Sequence, residues 1–373
     1  MRLLDRYLLR ELVVPLGYCL GLFVVFWAAF DLLGEIYTYR ELNLTFLDVA
    51  QYYLIRAPQL LVTVIPIALL LALLYALTNH ARHQELTAMR AAGVSLWRLC
   101  APYLGVGAAF TVGVFLLNEL WVPRSLAAAN SILTRRGGKL KDQVDPRWAR
   151  DLTFFNERDK RLWNIGLYDR KTGRMWLPNV EWWTGDGGRH RVAAAQASYT
   201  NRVWRFEDVR ELHSDPDGES RWQRSETNRL ELADWNETPE QIDSEIVFMH
   251  LTSIEATERP QMSIRQILNY QQLHPDLRAE RRAKLKTQLH ARIAEPWTSL
   301  VVVLIAIPFG TPSGRRNVFV GVASSIFIAF VYFVLNRFAL ALGTGGYLPA
   351  LLAAWLPNLA FAGTGIWLTR RVR

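Results

Sequence analysis

Six long apolar runs constrain this chain more than any other feature. Leu12–Phe30, Ala57–Asn79, Leu99–Asn118, Pro296–Gly314, Asn317–Asn336 and Tyr347–Thr369 contain no Asp, Glu, Lys or Arg. A helix rises about 1.5 Å per residue, so about 20 apolar residues cross a hydrocarbon core about 30 Å thick. The pattern predicts six transmembrane helices, three before and three after a polar middle, and excludes a wholly soluble protein. The averages, 51% hydrophobic and 21% charged, would suit a soluble domain. Clustering, not the mean, carries the information. With 14 Trp, 17 Phe and 13 Tyr the chain is also no disordered polymer. The first run is too long for a signal-peptide core, and Asp31-Leu32-Leu33 follows it instead of a small-x-small cleavage site.

The arginines orient the spans. Arg2, Arg6, Arg10, Arg82, Arg90, Arg98, Arg315, Arg316, Arg370, Arg371 and Arg373 fall on one side. The short loops of the other side hold Arg40, with Arg56 and Arg337 at the membrane lip. By the positive-inside rule both termini are expected in the cytoplasm and the polar middle outside. The net charge of +9 then reflects topology and anionic lipid heads, and nucleic acid is not an expected partner. Pro15, Pro66, Pro102, Pro308 and Pro357 lie in the spans, either as ordinary membrane-helix prolines or as gating points.

The polar middle changes to period two. Asp151–Glu157, Arg161–Asp169, Arg174–Trp183, His190–Thr200, Arg202–Leu212 and Ser220–Leu232 read as strands, with turns at Lys171-Thr172-Gly173, Thr184–Gly188 and Ser214–Glu219. Pro178 suggests an edge or a bulge. Short strands at this spacing predict an all-β sandwich or jelly roll. Trp148, Trp163, Trp176, Trp182, Trp183, Trp204 and Trp222 are expected mostly in its core, some of them lining a cleft wide enough for acyl chains if one edge stays open. Cys19 and Cys100 both fall in or beside apolar runs, so the middle folds without disulfides. Ser263–Gln272 and Pro275–Ile293 read as helices. The second carries the basic stretch Arg278–Arg292, either a solvated stalk or a cationic surface for lipid heads.

Recognisable catalytic chemistry is missing. There is no G-x-x-x-x-G-K-[ST], H-E-x-x-H, cysteine cluster or nucleophile elbow. His80 and His83 stand three apart near Glu85, but an isolated pair of this kind is rarely a metal site. Asp215, Asp217 and Gly218 echo a calcium loop, with Arg224 near where its closing Glu belongs. Gly363-Thr364-Gly365 reads as a helix-packing motif.

The loop between the second and third runs is more informative. Ala81–Ala92 is good helix material, and Gly93 is placed as its C-terminal cap. Leu86, Met89 and Gly93 share one face, with Glu85, Ala88 and Ala92 beside it. Such a helix is either a simple connection or a rigid handle through which a nucleotide-driven partner moves the spans.

Glu85–Ser95 (ELTAMRAAGVS) resembles the E-L-x-x-[ML]-x-A-x-G-[VFL]-[ST] signature of the lipopolysaccharide-export permeases, the LptF/LptG family. Leu3–Glu11 resembles the family's R-Y-[LI]-x-[RK]-E opening. Ala57-Pro58 with Ile65-Pro66 resembles its second span. Arg292–Pro296 resembles the [KR]-x-A-x-P lead-in to its fourth, and Ala353–Asn358 the A-W-[LI]-P-N motif of its last. The resemblance implies an α-helical membrane protein of six spans with an inserted all-β, jelly-roll-like periplasmic domain. Residues 1–119 would be spans one to three with a coupling helix over 80–93. Residues 120–262 would be the β domain and its linker, and 263–373 the stalk and spans four to six. It implies a permease and not an enzyme, one of two such subunits in a heterodimer. Its partners would be a cytosolic ATPase dimer holding ATP and Mg²⁺, a bitopic LptC-type protein, a periplasmic LptA-type bridge and lipopolysaccharide. Glu85, Leu86, Met89, Arg90 and Gly93 would couple to the ATPase, Glu85 by a polar contact and Leu86 and Met89 as an apolar plug.

Lipid A phosphates call for cations. Arg40, Arg56 and Arg337, all at the expected outer lip, are the candidates, against snorkelling or an ion pair with Asp31 or Glu35. Where the family often carries basic residues at the outer end of the first span, this chain has Asp31 and Glu35. The alternatives to a transport subunit are a membrane-anchored periplasmic lipid-binding or scaffold protein and an intramembrane enzyme.

Overall fold

The computed structural model describes residues 3–123, 125, 128–129, 132, 147–183, 188–214, 222–233, 235–252, 262–310 and 318–371. The chain divides into two compact units, Met1–Ala129 with Ala279–Arg373, and Asn130–Arg278. Helix Ile264–Leu273, read from sequence with the third segment, belongs to the second unit.

The first unit holds six helical stretches long and apolar enough to cross a membrane. They are built from α1 (Leu3–Glu41), α2 (Phe46–Arg82), the short α3 (Glu85–Ala91) and α4 (Leu96–Leu116), which ends in a π-turn over Leu117–Trp121. After the insertion come α7 (Ala279–Ala294), a 3₁₀ turn Glu295–Trp297, α8 (Thr298–Gly310), α9 (Val318–Thr344) and α10 (Ala350–Arg371). Thr45 and Asp48 form a reciprocal capping box that starts α2. Helices α2 and α8 form the middle, with Leu69, Leu73, Val303, Ala306 and Ile307 sealed from solvent. Small residues let the helices close on α8. A Cβ at Gly365 of α10 would lie 2.7 Å from the Leu304 carbonyl oxygen, and one at Gly107 of α4 would lie 2.9 Å from Val303 Cγ2. Of the pair in the last span, Gly363 faces open space, so only Gly365 packs as expected. Arg315 and Arg316 lie outside the described residues.

The second unit is one antiparallel sheet of seven strands: β1 (Trp148–Asn156), β2 (Arg161–Asp169), β3 (Arg174–Trp183), β4 (Arg189–Ala193), β5 (Gln196–Thr200), β6 (Val203–Ser214) and β7 (Trp222–Leu232). Neighbours run β1-β2-β3-β4-β6-β5, with β7 paired to β6. The run expected as one strand over 190–200 is interrupted at Ala194-Ala195, and both halves pair with β3 and β6. Leu177 and Asp208 sit opposite at φ 51° and 53°, the conformation of bulged strands. Pro178 therefore marks a bulge, and on an interior strand, not an edge. Helix α5 (Pro239–Thr252), unforeseen from sequence, lays Ile242 and Ile246 onto the sheet's core, and α6 (Ile264–Leu273) follows.

Trp163 and Trp204 are sealed in that core together with Trp235. Trp182 packs at its margin, Trp148 and Trp176 are half-buried, and Trp183 is 47% exposed and so stands outside it. The Trp222 side chain and the calcium-loop echo at Asp215–Gly218 lie outside the described residues. Buried Glu237 gathers the polar edges: its carboxylate accepts from Arg161, Asn156 and Trp163 Nε1, and its carbonyl from Trp204 Nε1. The Arg147 guanidinium beside Asp169 holds that carboxyl well below the usual carboxylate range. Burial opposes the shift, and the Thr172 hydroxyl and Lys171 amide add to it.

Candidate functional site

The loop between α2 and α4 is built differently from the single helix expected over 81–92. Helix α2 continues to Arg82, and Gln84 turns the chain at φ 59° with no side-chain cap. Seven residues of α3 follow. Their end is as read from sequence. Gly93 at φ 87° donates its N–H to the Arg90 carbonyl, and Val94 donates to Met89, the paired bonds of a Schellman motif. Ser95 then caps α4 by accepting from the Arg98 amide.

The five residues expected to meet an ATPase do not share one exposed face. Leu86 is 6% exposed and joins the core with Leu99, Cys100 and Tyr103, so it anchors α3 inward instead of standing free as a plug. Met89 is half-buried against the same core, and Arg90 is half-buried. Thr87, Ala88, Ala91, Ala92 and Gly93 make up the exposed side. Glu85 is held from within. Its Oε2 lies 2.6 Å from His80 Nδ1 and accepts the Tyr7 hydroxyl at 3.0 Å. Burial pushes the Glu85 carboxyl up, but the bonds from His80 and Tyr7 and the charges of His80 and His83 outweigh it and leave the group below its ordinary value. His83 turns instead to the Asn79 carbonyl, 3.0 Å away. Sequence reading missed Tyr7, and it weighed His80 near Glu85 only as half of an improbable metal pair with His83. The i, i+5 spacing of His80 and Glu85 across a helix break was the one available signal.

The three candidate cations part company. Arg56 is held: its Nη1 donates to the Tyr52 hydroxyl at 2.7 Å and lies 3.6 Å from Asp31, with the guanidinium over the Trp27 and Tyr52 rings. The Tyr53 hydroxyl donates to the same carboxylate at 2.8 Å. The ion pair with Asp31 is thus the arrangement found. Arg40, at the end of α1, and Arg337, in α9, are exposed, and neither side chain has a hydrogen bond or ion pair among the described residues.

A third constellation joins the helices before the insertion to those after it. Arg292 of α7, 1% exposed, donates to the Asn118 carbonyl at 2.9 Å and pairs with Glu119 at 3.2 Å. Both partners lie in the π-turn, whose wider winding exposes a carbonyl that a regular helix would occupy. The Asn118 amide reaches Glu295. One residue earlier, the Ala294 carbonyl accepts from Asn358 Nδ2, and Asn358 accepts the Tyr332 hydroxyl, which also meets Thr298. Two of the motifs singled out in the sequence, around Arg292 and Asn358, thereby meet in one network. Among the described residues no group of three His, Cys, Asp or Glu side chains is placed to hold a metal ion.

The family model for the lipopolysaccharide export system permease LptF/LptG matches residues 6–371. The chain belongs to the LptF/LptG family. Its curated relatives include the lipopolysaccharide export system permease protein LptG of Escherichia coli K12, 22% identical over 99% of this chain and 98% of that protein. LptG of E. coli O6:H1 strain CFT073 matches with the same figures. Family membership and the six apolar helices make the chain a multi-pass inner-membrane protein. The β-sheet domain lies where LptF/LptG permeases are expected to carry one, inserted between the helices.

Proposed function

We propose that this chain is the non-ATPase permease subunit of an ATP-driven lipopolysaccharide exporter. The observation that carries the reading is α3: a short helix pinned to the spans on one side and presenting small, exposed residues on the other. A chain without a nucleotide-binding motif needs such a joint if a separate ATPase is to move it. Family membership supplies the cargo class, lipopolysaccharide. The partners in this reading are a second LptF/LptG-type permease, a cytosolic ATPase dimer that binds ATP and Mg²⁺, a bitopic LptC-type protein and a periplasmic LptA-type bridge. The arginine distribution supports cytoplasmic termini, a cytoplasmic α3 and a periplasmic β domain. Of the three candidate cations, Arg40 and Arg337 are, among the described residues, free to meet lipid phosphate, and Arg56 joins them only when Asp31 releases it.

The test is reconstitution with the second permease and the ATPase in liposomes containing lipopolysaccharide, with a soluble acceptor outside. Release is expected to require ATP and all three proteins, and Gly93→Pro, which cannot adopt the φ of 87°, is expected to abolish it. Lipopolysaccharide transfer by this chain without ATPase or ATP would favour the anchored lipid-binding protein instead. Labelling of a cysteine at position 83 from outside intact cells would invert the orientation and end the reading.

A further inference from the structure

The α2–α4 loop grips the N-terminal end of α1 at two points. Glu85 takes the Tyr7 hydroxyl, and Arg98 at the start of α4 pairs with Asp5 at 3.0 Å. Residues 5 and 7 project about 200° apart on a helix, so these contacts flank α1 instead of stacking on one side.

The helix that provides the first grip does not stabilise itself. Seven residues are far below the length at which an isolated helix persists, and α3 begins without a side-chain cap. Two things hold its start: Leu86 in the core, and the Glu85 carboxylate between Tyr7 and His80. The His80 ring is 1% exposed, with Tyr7 against it at 5.7 Å between centroids. A carboxylate has no proton to give, so His80 Nδ1 carries the hydrogen of that 2.6 Å contact. His80 Nε2 is buried without a hydrogen-bond partner. An imidazole in that position is a costly choice for packing alone, whereas a leucine would fill the space. Its benefit lies in the bond to Glu85.

We infer that Tyr7 and His80 are positioning residues for α3. They hold Glu85 so that α3 and the end of α1 move as one piece when a partner presses on the exposed side. Glu85 in this account acts first as an internal fastening, and α1 is the span that receives the push. Helix α1 suits that part, because little of its length is buried and Leu8, Leu12 and Leu16 supply the apolar attachment of its first half. The inference rests on the reading of α3 as the ATPase joint.

The experiment has two arms. In the first, the full chain alone in nanodiscs carries a spin label at Ala88→Cys, an exposed position, in a background lacking Cys19 and Cys100. Tyr7→Phe and His80→Leu are each expected to raise label mobility, and together to shift the bound-to-loose ratio by about tenfold or more, the scale of one hydrogen bond to a charged group. His80→Asn, which can still donate to Glu85, is expected to restore much of it. Unchanged mobility in the double variant overturns the inference. In the second arm, the assembled complex with its second permease and ATPase is scored for ATPase recovered on purification and for lipopolysaccharide released per ATP hydrolysed. Recovery is expected to stay at wild-type level while release per ATP falls several-fold. Loss of recovery would mean that these residues build the partner surface itself, and it overturns the inference. If wild type recovers no ATPase, the transport reading fails, and the first arm alone decides whether Tyr7 and His80 fasten α3.

Discussion

Two polar networks tie this membrane unit together, and they are built on opposite terms. At the loop end, Tyr7, Glu85 and Arg98 sit where water reaches, with the Glu85 and Arg98 side chains each about one-third exposed and their partners His80 and Asp5 set behind them. Around the π-turn, Arg292, Asn118, Tyr332, Thr298 and Asn358 are buried. The difference sets what each can do. An exposed ion pair exchanges partners at little cost, because water and salt replace what is lost. A buried charge has no such substitute, and breaking its pair costs far more than the pair contributes. The first network is therefore suited to a joint that is handled by a partner. The second is suited to holding the helices before the insertion against those after it.

The sharpest way to break the comparison is Glu119→Ala, which leaves Arg292 charged and nearly sealed. Because Glu119 is 20% exposed and Arg292 keeps the Asn118 carbonyl, a loss toward the lower end for a broken buried pair, about 3 kcal/mol, is expected, read as a lowered unfolding midpoint of the purified protein in detergent. The double variant Glu119→Leu with Arg292→Met is expected to recover most of it, since apolar residues of similar volume often replace a buried pair without loss. A Glu119→Ala midpoint equal to wild type would place Arg292 in water and dissolve the distinction.

Asn358→Leu is the next largest. It removes the donor to the Ala294 carbonyl and one partner of the Tyr332 hydroxyl, which keeps Thr298. About 1–3 kcal/mol is expected, again from the unfolding midpoint. Faster hydrogen exchange is expected at the Ala294–Trp297 turn. An effect as small as that of an exposed position would show that water already enters the network.

What could be read beforehand follows the range of the interactions. The spans were legible because membrane insertion needs about 20 apolar residues in a row, a purely local condition. Strands β2 and β3 were read residue for residue, since their alternation is bounded by a turn whose Gly173 sits at φ 70°. The end of α3 was readable for the same reason, because only glycine takes the Gly93 conformation cheaply. Its start was not, as Gln84 breaks the chain at a positive φ with no glycine to announce it. Helix α5 did have a signal, the Thr238-x-x-Gln241 capping box, whose two reciprocal bonds form. Apart from the His80 and Glu85 spacing, the polar networks were out of reach. Tyr7 lies 78 residues from Glu85, and Arg292 lies 173 from Glu119. No periodicity links such residues, and the spans' polar side chains looked scattered until the helices packed.

The smallest effect is expected at Glu85→Gln, and it separates the networks most cleanly. Glutamine keeps the length and an acceptor but removes the charge, so stability should change by about 0–1 kcal/mol. Acid tests the same contact without a mutation. The Glu85 carboxyl is held below its ordinary 4.5 when folded. Its contribution is therefore complete above that value and disappears as pH falls through the lower folded one. Mobility of a label at position 88 is expected to rise across that acid window in wild type, and to show no such step in Glu85→Gln. Raising salt from about 0.1 to about 1 M shortens the screening length from about 10 Å to about 3 Å. That change should loosen the same label while leaving exchange at Ala294–Trp297 unmoved. Equal salt sensitivity at both places would mean that the two networks share one environment, and the assignment of one to handling and the other to holding would fail.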